Sequence, residues 1–263
     1  MSSERVSQQV FFGASALLFA GNAALTVAWC ASMSAMGGMQ MPGGWTMSMA
    51  WMRMPGQTWI AAAASFLAMW VVMMAAMMLP SLVPMLSRYR RSISRAHHAS
   101  LDGLTTLVAA GYFLVWTLLG LAVFAIGVAI TAIEMEQPML ARAVPIAAGV
   151  TILIAGAVQF TKWKAHHLTR CREAPGHDCV LPAHPGSAWR QGLQFGFHCG
   201  LSCANLTAIL LVVGVMDLRA MIAVTTAITA ERLAPRGDRI ARTIGLVVIG
   251  TGLLLISRAL KPE

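Results

Sequence analysis

Long apolar stretches alternate with short polar ones along the 263-residue chain. About 20 consecutive apolar residues let a helix cross hydrocarbon, and the runs at 10–31, 57–86, 104–133, 139–163, 189–216 and 240–260 meet that length. A shorter apolar run at 220–231 lies between a tight Met-Asp-Leu-Arg turn and the segment RLAPRGDR. Counted as a span, it brings the expectation to an all-α, polytopic membrane bundle of about seven transmembrane helices forming one domain over 1–263. The first run exceeds the roughly 7–15 residues of a secretory signal core, so it too reads as a span. Residues 33–56 are broken by Gly and Pro and read as a loop; so do residues 164–188, rich in His, Cys and basic side chains.

Composition agrees, with 57% hydrophobic and 11% charged residues and a mean hydropathy of +0.68, against roughly 25% charged in a soluble domain. The formal charge of +9 sits in clusters between apolar runs, the pattern that orients helices rather than one that binds nucleic acid. With the N-terminus cytoplasmic, fourteen Lys and Arg fall inside and five outside. That asymmetry predicts an N-in, C-out protein with the 33–56 loop on the outer face and the 164–188 loop in the cytoplasm. Trp29 and Trp59 then mark the outer boundary, and Trp163 and Trp189 the inner one.

Methionine changes the picture most, with 19 copies that are clumped. The outer loop carries Met33, Met36, Met39, Met41, Met47, Met49, Met52 and Met54 among glycines. Thioether sulfur is a soft, neutral ligand suited to Cu(I), and a Gly-rich backbone lets several sulfurs converge; the competing account is adaptable apolar filler. The second run carries Met69, Met73 and Met77 at i, i+4, i+8, with Met74 and Met78 beside them, then Pro80 and Pro84. Residues four apart share a helical face, so this stripe is a ligand ladder or a packing surface.

The run at 189–216 holds two further features. Gly192, Gly196, Gly200, Ala204 and Ala208 recur every four residues, a strip that admits a close neighbouring helix, either in this chain or in a membrane partner. Beside it, Cys199 and Cys203 stand one turn apart, with His198 and Asn205 as polar atoms at membrane depth. Two thiols with Met sulfurs from another helix make a soft, low-coordinate Cu(I) site. A structural role for the cysteines, or thiol oxidoreductase chemistry, are the alternatives; the C-x-x-x-C spacing differs from the C-x-x-C of the latter. In the 164–188 loop, His166, His167, Cys171, His177, Cys179 and His184 match no standard zinc spacing, and His97 and His98 beside four arginines read as headgroup contacts. Asp217 and Glu231 read as solvated or paired with the adjacent Arg219 and Arg232. Walker, G-x-S-x-G, H-E-x-x-H and dinucleotide fingerprints are all missing from the sequence, which argues against enzymes of those classes.

AMMLPSLVPM at 76–85, QFTKWKAHHLTRCREAP at 159–175, and GFHCGLSCANLTAILLVVGVMDLRAM at 196–221 followed by ERLAP occur in this order. The set resembles a bacterial family of predicted metal-binding integral membrane proteins, a domain of unknown function whose members are sometimes labelled copper chaperones. The resemblance covers most of the chain from about residue 60. It departs at Ser202, where many members have a cysteine before Cys203, and at His166 and His167, where they have Cys-Leu. It implies metal binding in a bacterial inner membrane. With the Met-rich loop it leads to an expected Cu(I) handler, acting as a chaperone, a loading factor for a periplasmic cuproprotein or carrier, or a low-flux transporter. A metal-free assembly subunit that docks through the Gly192/Gly196/Gly200 strip is the rival reading.

Overall fold

The computed structural model describes residues 2–42, 44–53, 56–94, 101–172 and 184–260. Of residues 2–4, Met36, Met49 and Ser94 only the backbone is described. Met54, His97, His98, His177 and Cys179 lie outside the described residues.

Among the described residues there are eight α-helices and one small hairpin: α1 Ser2–Met36, β1 Met39–Met41, β2 Trp45–Met47, α2 Trp59–Ser94, α3 Leu101–Glu136, α4 Pro138–Val158, α5 Lys162–Arg172, α6 Pro185–Val213, α7 Leu218–Leu233 and α8 Gly237–Ala259. Six helices (α1, α2, α3, α4, α6 and α8) are long and apolar enough to cross a membrane. α7, counted in the sequence as a seventh span, has 16 residues, about 24 Å of helix, and is shorter than these six. One expectation is corrected: the first part of the 164–188 loop is the helix α5, with Lys164, Leu168 and Cys171 buried on one face.

Burial separates the roles of the helices. The most apolar stretches of α2 and α6 are half or more buried, whereas those of α1, α3 and α8 bury less than a fifth and turn Leu17, Leu118, Ile126, Leu246 and Leu254 outward. An apolar exterior of this kind is what lipid contact asks for. The methionine stripe of α2 faces inward, since Met73, Met74, Met77 and Met78 are all buried in the main core. At one end of the bundle Arg90 ties three helices together, paired with Asp102 of α3 at 2.6 Å and donating to Ser7 of α1 at 2.9 Å. Further along, Trp70 Nε1 donates to the Trp116 carbonyl at 2.9 Å and fixes α2 against α3.

Two glycine seams bring backbones together. Gly192 sits against the Val108 backbone, Gly196 against Tyr112 and Val115, and Gly200 against Leu119. The numbers rise together, so α6 and α3 run parallel. In the antiparallel α4/α8 pair, Gly149 and Gly156 face the backbones at Gly252 and Gly245. The strip expected to be available to a membrane partner is therefore filled by α3 of the same chain, because its close approach is used in building the fold. Leucine at Gly192 would drive a Cβ into the backbone of Val108, which cannot rotate aside as a side chain can. Gly192→Leu is expected to destabilise by about 1–3 kcal/mol in detergent unfolding, whereas Gly250→Leu, which meets open space, should be near neutral.

A candidate metal site among five helices

α6 supplies the centre of the site. Its i, i+4 spacing places Cys199 and Cys203 one turn apart on the inward face. Both are buried, at 0% and 2% exposure. α2 brings Met78, whose Sδ lies 4.0 Å from Cys199 Sγ. From α3 comes Tyr112, whose hydroxyl is 2.9 Å from the same sulfur. α5 contributes Cys171, its sulfur 3.5 Å from the Ser202 hydroxyl, which in turn lies 3.7 Å from Cys203 Sγ. Cys171, Cys199 and Cys203 are all free thiols.

Fixed positive charge borders these sulfurs. The Arg232 side chain of α7 acts electrostatically on Cys199, Cys203, Cys171 and Tyr112. Its Nη1 donates to Ser81 at 2.7 Å, while its Nε is buried with no hydrogen-bond partner among the described residues. The neighbouring Lys164 is 1% exposed and pairs with Glu231, 2% exposed, at 2.8 Å. Lys164 also donates to the Ser202 carbonyl and, at 3.3 Å, to Asn205 Oδ1. Gln159 Nε2 donates to the other Glu231 oxygen at 2.7 Å, and Asn205 Nδ2 to the Ala155 carbonyl at 3.0 Å. The expectation of a solvated Glu231, or one paired with Arg232, is thus corrected. An isolated carboxylate at that depth is expensive, and Lys164 is the cation placed to satisfy it.

Of the residues expected to hold metal, Cys199, Cys203 and Met78 come together. Met73, Met74 and Met77 share the core with them. His198 turns to α5, its Nδ1 3.1 Å from His167 Nδ1. Partial burial, with His198 and His166 nearby, holds His167 below the ordinary histidine pKa. Among the described residues no three His, Cys, Asp or Glu side chains form a ready metal cluster.

The methionines of the hairpin form a separate group. Met39 pairs with Met47 and Met41 with Trp45 across the antiparallel hairpin. Opposed residues and residues two apart share a face, so Met39, Met41 and Met47 line one side of the ribbon. Trp45 Nε1 anchors it to the Ala141 carbonyl at 2.8 Å. Met33 ends up in the last turns of α1 and Met52 in the bend after β2, both partly buried. Ala141 and Ala155, which touch the hairpin and Asn205 respectively, are about 21 Å apart along α4. The two sulfur groups cannot share one ion.

Sequence reasoning missed Tyr112, Cys171, Lys164 and Arg232 as parts of the site. The spacing of Lys164, Leu168 and Cys171, at i, i+4 and i+7, was the available signal that this polar segment is a helix with a buried face.

Residues 67–255 match the family model described as PpoB2: Copper chaperone. No curated protein and no solved structure matches the chain.

Proposed function

The chain belongs to the PpoB2 copper-chaperone family, and from that premise we propose that it carries Cu(I) as cargo between a thioether site on the outer hairpin and the buried thiol site of α6. The separation of the Cys199 and Met78 sulfurs carries this reading. A metal–sulfur bond of about 2.3 Å sets two ligands of a trigonal ion about 4 Å apart, and the pair already stands at 4.0 Å. Cys203 is the third donor, one turn along. Two thiolates and one Cu(I) leave a net negative charge, and Arg232 beside them supplies the compensating cation. Soft sulfur donors in a low-coordinate site favour Cu(I) over harder ions. Each thiol gives up its proton when copper binds, so loading releases protons.

The proposed setting is a bacterial inner membrane with the N-terminus cytoplasmic, as the Lys and Arg distribution supports. Copper is handed to or taken from a periplasmic cuproprotein or carrier at the hairpin, where Met39, Met41 and Met47 present neutral ligands. Met33, Met52 and Met54 flank them in sequence. Cargo must then move about 20 Å between the two groups, which suits a loading factor or a low-flux transporter. X-ray absorption on the purified full chain loaded with one equivalent of Cu(I) tests the buried site. The expected first shell is sulfur alone, at about 2.3 Å. Failure to retain copper, or a shell of oxygen and nitrogen, would overturn the proposal.

A further inference from the structure

We propose that His167 and His198 form a second copper site at the seam of α5 and α6, the port through which Cu(I) reaches the buried thiols. The proposal rests on the copper reading above, but its ligands are different. The two Nδ1 atoms are 3.1 Å apart and come from different helices. A metal–nitrogen bond of about 2.0–2.1 Å puts two ligands of a tetrahedral ion about 3.3 Å apart, so a few tenths of an ångström of ring movement admits one. Without an ion, one nitrogen must carry the proton that the other accepts. A cation in that position takes over the role of the proton and uses both lone pairs.

Three surrounding features fit a transfer site better than a store. Both rings are half-buried rather than sealed, unlike the thiols, so an ion can reach them. The Trp163 ring stands edge-on to His167 with centroids 4.8 Å apart, which limits how far that imidazole can turn. Arg170 places positive charge on His198, which weakens the hold on a cation and speeds its release. His166, exposed on the same helix, sets its ring edge-on to that of His167 at 5.3 Å between centroids.

The position also leads inward. His198 precedes Cys199 on α6, and His167 lies one turn before Cys171 on α5. Both helices that carry an imidazole at the seam therefore also carry a buried thiol, on the next position of α6 and one turn on in α5. The histidines and thiols make a graded path from borderline nitrogen to soft sulfur, along which Cu(I) is held progressively more tightly.

The test uses the full chain in lipid nanodiscs, with Cu(I) itself as the probe. In Cys199→Ser/Cys203→Ser protein given excess Cu(I), X-ray absorption is expected to show a nitrogen component at about 2.0 Å, lost when His167→Ala/His198→Ala is added. The same component is expected in the unsubstituted chain as copper passes one equivalent, which removes dependence on the folding of the serine variant. Transfer from a Cu(I) chelator to the thiols, followed by protection of Cys199 from alkylation, should slow about tenfold or more in His167→Ala/His198→Ala. Final thiol occupancy should not change. Nitrogen scattering that is missing in both proteins, or that survives loss of both histidines, would overturn the proposal, as would an unchanged transfer rate. Should the thiols of the unsubstituted chain take no copper, the buried-site reading fails, while the nitrogen signal still decides the histidine site.

Discussion

Serine at both Cys199 and Cys203 is expected to abolish copper retention at the buried site. The substitution removes two of the three sulfurs that geometry brings together and replaces them with hydroxyls, which are harder donors and do not ionise at neutral pH. Losing a supporting residue around a metal typically costs about 10–100-fold in affinity; losing two direct ligands should exceed that. Met78 and Cys171 remain, but they lie on different helices, and the Cys171 sulfur reaches the site only through the Ser202 hydroxyl. The fold should survive, because each new hydroxyl can donate to the carbonyl four residues earlier in α6. Mass spectrometry of copper per protein after dialysis against a Cu(I) chelator reads the effect. Retention equal to that of the unsubstituted chain would mean that Cys199 and Cys203 are packing residues.

Removal of Lys164 is expected to be the most destabilising single change. Its ammonium is buried, pairs with Glu231 at 2.8 Å and also bonds Ser202 and Asn205. Lys164→Met leaves a carboxylate 2% exposed with Gln159 alone to bond it among the described residues. Breaking one side of a buried pair costs about 3–5 kcal/mol, whereas replacing both sides by apolar residues is often close to neutral. Lys164→Met/Glu231→Leu should therefore be more stable than Lys164→Met alone, though still below the parent because Asn205 and Gln159 lose partners. Unfolding in mixed micelles gives the three free energies. A double variant no better than the single would show that Lys164 acts through its links to α6 rather than through Glu231.

Much of the membrane architecture was legible because hydropathy over 20 residues is a one-dimensional signal. α1, α2, α3, α4, α6 and α8 all follow the runs that predicted them. α5 misled, since KWKAHHLTRCR is polar by composition and only its spacing shows a buried face. Periodicity along α6 brought out the glycine strip and the two cysteines. What the strip packs against was not legible, because Val108 and Tyr112 are more than 80 residues away in the chain. The same non-local dependence hid the Lys164–Glu231 pair: a lysine in an apolar setting is unreasonable until its carboxylate is in place. It also hid the choice of Met78, rather than Met73 or Met77, as the sulfur nearest Cys199.

The Met39/Met47 pair of the hairpin has a chemical cost that the buried site escapes. Met39 is 39% exposed while Met47, directly across the ladder, is 2% exposed and Met78 is fully enclosed. Peroxide turns an accessible thioether into a sulfoxide, exchanging a soft donor for a hard oxygen. Copper that cycles between its two valences generates such oxidants where it is handled. On the proposed copper reading, Met39 is therefore the member of the pair that oxidation reaches first, and each sulfoxide formed there would cost the hairpin a soft donor until it is reduced.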